Sequence, residues 1–223
     1  MSDLRSMFTS VAVSHVDDAL AHIGYTNTVL RGIGPVTRPG LKMAGHATIL
    51  ELVPARTNRA QRRLSAFLRD TVSPGSIVVV AAHGITDYVA FGERAASVAS
   101  VKGAVGAVID GGVRDISELL QGQFPVFAAG RGIHASEGFL EGIRIDETVI
   151  CGGVKIDPGD WVVADDTGVV VVPAEVAEKV AALAVEREQL DKESLVEVAG
   201  GATGESTHRH FRDDNTEWMR QVE

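Results

Sequence analysis

Glu93, Arg114 and Asp115 are the residues of this chain whose types and spacing suit chemistry on a small anion. Arg114 and Asp115 stand side by side just past an apolar run that stops at Asp110–Gly111–Gly112. A guanidinium offers two parallel donors, which match a carboxylate or an enolate oxygen. The carboxylate beside it suits a hard divalent cation, which takes oxygen ligands. Glu93 follows Gly92 at the start of an Ala-rich, helix-like stretch. In a first helical turn the amides of Glu93, Arg94 and Ala95 have no intrahelical acceptor and can receive an anion.

Asp115 and Glu93 also have a purely structural explanation. Asp115 is a good helix N-cap, and Glu118 three residues later completes a capping box. That leaves Arg114 unexplained, because the helix dipole disfavours a cation ahead of a helix start. Glu93 can serve as an acidic residue in a first turn, worth a few tenths of a kcal/mol, roughly 0.3 or more. On the residues alone both explanations stand.

The elements that must position these residues are legible around them. Ser76–Ala82, "SIVVVAA", reads as a buried strand, followed by a loop "HGITDYVAF". Gly92–Gly103 reads as a helix and Val105–Ile109 as a second strand. The Arg-Asp loop, a short helix through Gln121 and a third strand, "FPVFAA", follow. Strand, helix, strand, helix, strand is the pattern of parallel β-structure with crossovers. Loops leaving successive parallel strands emerge at one sheet edge, where ligands commonly bind. Glu93 and Arg114–Asp115 are therefore expected to meet.

Outside this centre, Ser10–His22 has helical spacing at Val13, Val16, Leu20 and Ile23, stopped by Gly24. "LRGIGPVTRPGLKMAG" is a turn-rich connection, "HATILELV" a strand, and Ser65–Thr71 a helix. "TVICGGVKIDPGDWVVADDTGVVVVP" alternates short β-runs with turns, as antiparallel hairpins do. A helix is expected from Ala174 to about Val198, and the remainder is polar.

Other candidates are weaker. Asp165–Asp166 fit a hairpin turn, and Asp17–Asp18 a solvated helix face. The seven histidines show no metal-binding spacing. Gly32–Ile33–Gly34 precedes Pro35 rather than a helix and is no dinucleotide fingerprint. Neither a phosphate loop nor a nucleophile elbow is present. The single cysteine, Cys151, is expected to be inert packing.

The chain has 223 residues, 45% hydrophobic and 23% charged, with 5% aromatics, which suits one large globular domain or two small ones with an aliphatic core. A net charge of −9 argues against a nucleic-acid partner but not against a small anionic substrate. "MSDLRSMFTS" lacks the flank and apolar core of a signal peptide, and no apolar run approaches the roughly 18 residues of a membrane span. The expectation is a cytoplasmic protein without a membrane partner.

"GERAASVASVKGAVGAVIDGGVRDISEL" resembles the central signature of the RraA-like family: an acidic residue, twenty intervening positions, then Arg-Asp. "HVDDALAHIG", "LRGIGPVTRPGLKMAGHATIL" and "GGVKIDPGDWVVADDTGVVVVP" extend the resemblance over about Val11 to Gly201. The family includes class II 4-hydroxy-4-methyl-2-oxoglutarate aldolases, which also decarboxylate oxaloacetate. The resemblance implies a single α/β domain over residues 1–201, like the swivelling domain of phosphotransfer enzymes, with a polar tail at 202–223. Its centre would be parallel strand-helix-strand, followed by C-terminal hairpins and a long C-terminal helix. It also implies a homotrimer or homohexamer with sites at subunit boundaries.

By the same resemblance, Asp115 anchors Mg²⁺ or Mn²⁺ and Arg114 binds the pyruvyl part of a small 2-oxo acid. Amides following Gly92, near Arg94 and Ala95, hold the substrate carboxylate, and Glu93 lies near the waters on the metal. A neighbouring subunit contributes a glutamate, with Glu193 the first candidate and Glu188 the second. The aldolases carry Asp where this chain has Glu93. Founding members of the family instead inhibit ribonuclease E by protein contact, and a binding role is the alternative to catalysis. An older methyltransferase label for the family finds no glycine-rich cofactor loop in this chain.

Overall fold

Apolar residues on both sides of a strand require cover on both sides, and that requirement organises the chain. In a computed structural model, which describes residues 2–204, strand β3 (Ser76–Phe91) lies between two parallel neighbours, β2 (Met43–Pro54) and β4 (Gly106–Val113). A fourth parallel strand, β5 (Val126–Arg131), pairs with β4. Short β1 (Gly34–Pro35) closes that edge antiparallel to β5. On the far side β9 (Trp161–Asp165) and β10 (Gly168–Val172) extend the sheet, and β6 (Leu140–Ile145) pairs with the end of β2.

Period-two alternation sorts the core into two faces. Val78 and Val80 of β3, with Leu50 and Ile109, face α3 (Leu64–Asp70), α4 (Glu93–Val101) and α5 (Ile116–Gln121). Ile77 and Val79, with Ile49 and Val108, face the hairpin of β7 (Val149–Cys151) and β8 (Val154–Ile156). A third cluster joins α1 (Ser2–Ser10), α2 (Val13–His22) and α6 (Ala177–Ala199) to the β9–β10 end. A single 3₁₀ turn, Ala174–Val176, leads into α6. Each such side chain taken fully from water contributes about 1.5–3 kcal/mol. The result is the expected α/β domain with a parallel centre, C-terminal hairpins and a long C-terminal helix.

The structure departs from the local reading in four places. The stretch 83–91, expected as a loop, continues β3 with register shifts after Ala81, Ile85 and Val89. His83 and Gly84, at φ 53° and 74°, let the chain step out and return. Gly111 and Gly112 do not make a turn but belong to β4. They are glycines because the returning backbone presses on them: a Cβ on Gly112 would lie 2.6 Å from the Thr86 carbonyl oxygen.

The expected 10–22 helix starts later, as α2 at Val13, and a separate helix, α1, precedes it with a break at Val11–Ala12. Ala12 has no side chain with which to cap α2. The caps come from afar: Asp165 accepts from the Val13 amide at 3.0 Å and Glu188 from the Ala12 amide at 3.2 Å. Strand β6 was not legible either, because its exposed Arg144 and Ile143 break the alternation. Among the described residues no helix is long and apolar enough to cross a membrane. Residues 205–223, most of the expected polar tail, lie outside the described residues.

Candidate functional site

Strands β3 and β4 end side by side, with Phe91 opposite Val113, and the Arg114 amide donates to the Phe91 carbonyl at 3.2 Å. This pairing brings Gly92–Glu93 onto Arg114–Asp115 across twenty-two positions of chain, as parallel topology requires. The Asp115 carboxylate does not form the capping box. Asp115 is the N-cap residue of α5 by position, and its carbonyl accepts from the Leu119 amide at 3.0 Å. Its side chain makes no cap hydrogen bond to that helix. The backbone there is left-handed, φ 61° and ψ 42°, a conformation that Asp tolerates better than most residues and that still costs about 1–3 kcal/mol. That twist turns the carboxylate out of its own helix and onto the start of α4. Oδ2 accepts from the Glu93 amide at 3.3 Å and lies 3.5 Å from Arg114 Nε.

Gly92 is required by this arrangement. Its φ of −165° is ordinary extended backbone, so the constraint is steric. A Cβ would stand 2.8 Å from Asp115 Oδ2 and 3.2 Å from Arg114 Cγ. Helix α4 begins with the Ala96 amide donating to the Gly92 carbonyl at 3.0 Å. The amides of Glu93, Arg94 and Ala95 therefore precede the first intrahelical bond. Asp115 takes the first of them.

Gly92, Arg94, Ala95, Arg114 and Asp115 line one cleft of about 390 Å³. Glu93 lines a different one, about 530 Å³, between α4 and α5. Its Oε1 accepts from Ser97 Oγ at 2.8 Å, one helical turn on. The backbone of Glu93, rather than its carboxylate, is what reaches the Arg-Asp pair.

The two candidate glutamates of α6, Glu188 and Glu193, are not among the residues that line this cleft. Glu188 accepts from the Ala12 amide, from His15 Nδ1 at 2.9 Å if that nitrogen carries the proton, and from Lys192 Nζ at 3.0 Å. The Lys192 bond comes first in holding its carboxyl below the usual glutamate range, ahead of the Ala12 and His15 bonds; burial opposes them. Glu193 is exposed and accepts from Gln189 Nε2 at 2.8 Å.

Two residues of the cleft carried no sequence signal. Arg62, in the coil before α3, has a side chain only 22% exposed. Its Nη1 donates to the Val89 carbonyl at 3.1 Å and to Ser136 Oγ at 2.9 Å, and its Nη2 lies 3.4 Å from Glu137 Oε1. Burial pulls the Arg62 pKa below the ordinary arginine value; Glu137 opposes this and the charge of Arg114 adds to it.

A hard, water-rich cation such as Mg²⁺ uses one or two carboxylates and keeps several waters. Asp115 fits that pattern: its side chain is 39% exposed, it borders the cleft, and both contacts described above use Oδ2. Among the described residues no group of three or more His, Cys, Asp or Glu forms a protein cage for a metal. The remaining candidates are structural. Asp165 binds the amides of Val13 and Thr167, Asp166 that of Gly40, and Asp17 the Thr28 hydroxyl. Cys151 is buried, which pushes its thiol up, and the neighbouring Asp110 adds to this.

The family model described as "Aldolase/RraA", of the RraA-like group, matches residues 13–171. A Halorhodospira halophila protein named "Putative 4-hydroxy-4-methyl-2-oxoglutarate aldolase" is 33% identical over 75% of this chain and 95% of its own length. Protein DlpA of Legionella pneumophila is 27% identical over 95% of this chain but only 34% of its own length. The chain spans about a third to a half of the length of the first curated relatives it matches. Among solved structures, Streptomyces coelicolor RraAS2, described as an unusual member of the RNase ES inhibitor RraA family, superposes with a TM-score of 0.82. It shares 30% identity over 88% of this chain and 98% of that one.

Proposed function

The chain belongs to the RraA-like family, and from that premise we propose that its Arg114–Asp115 cleft is the site of a divalent-metal-dependent carbon–carbon lyase acting on 2-oxo acids. The observation that carries this reading is the turn of Asp115 away from its own helix and onto Arg114 and the start of α4. A residue needed only as a cap would do the opposite.

In this reading Asp115 holds Mg²⁺ or Mn²⁺, which supplies positive charge for the enolate oxygen that develops as the bond breaks. Arg114 binds the pyruvyl carboxylate and keto oxygen through its planar fork. The amides of Arg94 and Ala95 take the same carboxylate at the positive end of α4. For a 4-hydroxy-4-methyl-2-oxoglutarate-type substrate, the C3–C4 bond breaks and its electron pair enters the enolate across C2 and C3. The C4 hydroxyl gives up its proton as that carbon becomes a carbonyl. A water takes the proton, oriented by the neighbouring subunit's glutamate or by Glu93 once its carboxylate leaves Ser97 and turns toward this cleft. The enolate is then protonated at C3 to give pyruvate. In oxaloacetate the same bond breaks with loss of CO₂, and no hydroxyl proton moves.

The reading includes a homotrimer or homohexamer in the cytoplasm, with a glutamate supplied to each cleft by a neighbouring subunit. Glu193 suits that part better than Glu188, because Glu188 is already engaged within its own chain.

The test is pyruvate release from 4-hydroxy-4-methyl-2-oxoglutarate and from oxaloacetate, with Mg²⁺ and with EDTA, in wild type and Asp115→Asn. Asn keeps the left-handed backbone accessible and removes the charge. Metal-stimulated turnover that disappears in the variant, with the fold intact, supports the reading. Full activity in EDTA or in the variant overturns it.

A second reading is a protein-binding regulator of ribonuclease E. The likeness to RraAS2 favours it, and a net charge of −9 suits docking on basic segments. No turnover of either substrate under any metal condition would support it over catalysis.

A further inference from the structure

The cleft has an arginine that the reading of Arg114 and the α4 amides as the pyruvyl site leaves unused. Arg62, Arg94 and Arg114 border it against Asp115 and Glu137, in a chain whose net charge is −9. Arg62 is the unusual member. Four arginines occupy the run Arg56–Arg63, and Arg62 alone is drawn inward while Arg56, Arg59 and Arg63 are exposed. Its backbone is fixed as well. The Gly142 amide donates to the Gln61 carbonyl at 2.9 Å, and a Cβ on Gly142 would lie 2.6 Å from the Arg62 carbonyl oxygen. Arg63 follows in a left-handed conformation, φ 60°, that turns the chain into α3.

The guanidinium is used asymmetrically. Nη1 is anchored by the Val89 carbonyl and by Ser136, a fully buried serine. Among the described residues Nη2 meets only Glu137, at 3.4 Å, and the Glu137 side chain is 70% exposed. Glu137 is therefore a mostly solvated partner held by one ion pair, so a ligand carboxylate can replace it on Nη2. One arm is held rigid and the other is offered to the cleft, which is how an arginine is preorganised for a planar anion.

We propose that Arg62 is a substrate-recognition residue that binds a second carboxylate, at the end of the 2-oxo acid away from its pyruvyl head, with Glu137 as the counter-ion it releases. This rests on the reading of the cleft as a 2-oxo acid site. It adds a selection rule that the Arg114–Asp115 pair cannot supply: dicarboxylic 2-oxo acids over monocarboxylic ones of the same length.

The test compares 2-oxoglutarate with 2-oxovalerate, which match in chain length and differ in carrying a carboxylate or a methyl at the far end. Neither has a C4 hydroxyl, so neither undergoes the retro-aldol step. Affinities are measured by calorimetry on the full chain with Mg²⁺ present, for wild type, Arg62→Met and Glu137→Gln. Wild type is expected to bind 2-oxoglutarate at least about tenfold tighter, a difference of roughly 1.4 kcal/mol. Arg62→Met should lose that preference by weakening 2-oxoglutarate alone, with 2-oxovalerate within twofold. Glu137→Gln, which leaves the anchored arm intact, should tighten 2-oxoglutarate several-fold.

Equal affinities for the two acids in wild type would overturn the assignment of Arg62 and leave the 2-oxo acid site standing. So would an equal loss of both in Arg62→Met, or weaker 2-oxoglutarate binding in Glu137→Gln. If Arg62→Met does not fold, the Glu137→Gln result decides. Failure of wild type to bind either acid would overturn both the site and the assignment.

Discussion

The Asp115 carboxylate accepts a hydrogen bond from the Glu93 amide at 3.3 Å, although Asp115 is itself the N-cap residue of another helix. The carboxylate of one helix's N-cap residue thus serves the start of another helix, twenty-two residues earlier, and not its own. The carboxylate is left beside Arg114 at the edge of the cleft, at the positive end of α4.

Gly92→Ala tests how closely this arrangement is fitted. Its backbone angle suits alanine, but the new methyl would lie 2.8 Å from Asp115 Oδ2. Overpacking of this kind typically costs about 1–3 kcal/mol. Because Asp115 is at the surface it can move instead, so stability should fall by the lower end of that range while lyase activity falls at least about a hundredfold. Thermal melts and pyruvate release on the same preparation check this; equal activity would mean that the position of Asp115 is immaterial.

Arg114→Lys replaces a planar fork with a point charge. The expected loss in kcat/KM is at least about tenfold, roughly 1.4 kcal/mol of transition-state stabilisation. Affinity for the metal, followed by titrating activity with Mn²⁺, should change little. Near-normal kinetics would remove Arg114 from substrate binding.

Glu93→Gln and Ser97→Ala address the proton. Glu93→Gln should depress aldol cleavage far more than oxaloacetate decarboxylation, since only the former removes a hydroxyl proton. Ser97→Ala removes the hydroxyl that holds the Glu93 carboxylate along α4. It should leave aldol turnover equal to wild type or raise it a few-fold. Equal losses of both activities in Glu93→Gln would assign Glu93 to the fold or the metal instead.

Glu188→Gln probes the end of the molecule where α6 meets α1 and α2. The carboxyl of Glu188 is held below the ordinary value of 4.5, chiefly by Lys192, with help from Ala12 and His15. A depressed native value means the charged form stabilises the fold above the unfolded value, and the benefit is lost as pH falls through the native one. The variant should cost about 1 kcal/mol at pH 7. That cost should shrink below pH 4.5 and vanish in stronger acid, as read from denaturant midpoints across pH. A cost that persists undiminished in acid would locate the effect in packing.

What the sequence by itself determined was set by short-range rules. Run length and period marked Ser76–Ala82 and Val105–Ile109 as strands buried on both faces, and the intervening helix forced them parallel. Parallel strands release their loops at one edge, so the twenty positions between Glu93 and Arg114 already implied that the two ends meet. What only the tertiary structure decided was which group each polar side chain answers. The pattern Asp-x-x-Glu at 115–118 is a capping box by local rules, yet a left-handed turn aims Asp115 at a helix twenty-two residues earlier. Arg62 is one of four similar arginines in sequence and is singled out only by Val89 and Ser136, which arrive from β3 and from the loop after β5. Glu188 looks like any exposed helical glutamate until α1 and α2 pack against it. Local periodicity encodes burial, and burial encodes strands and helices. The partner of a charge is chosen by chain that returns from far away, and no window of sequence contains it.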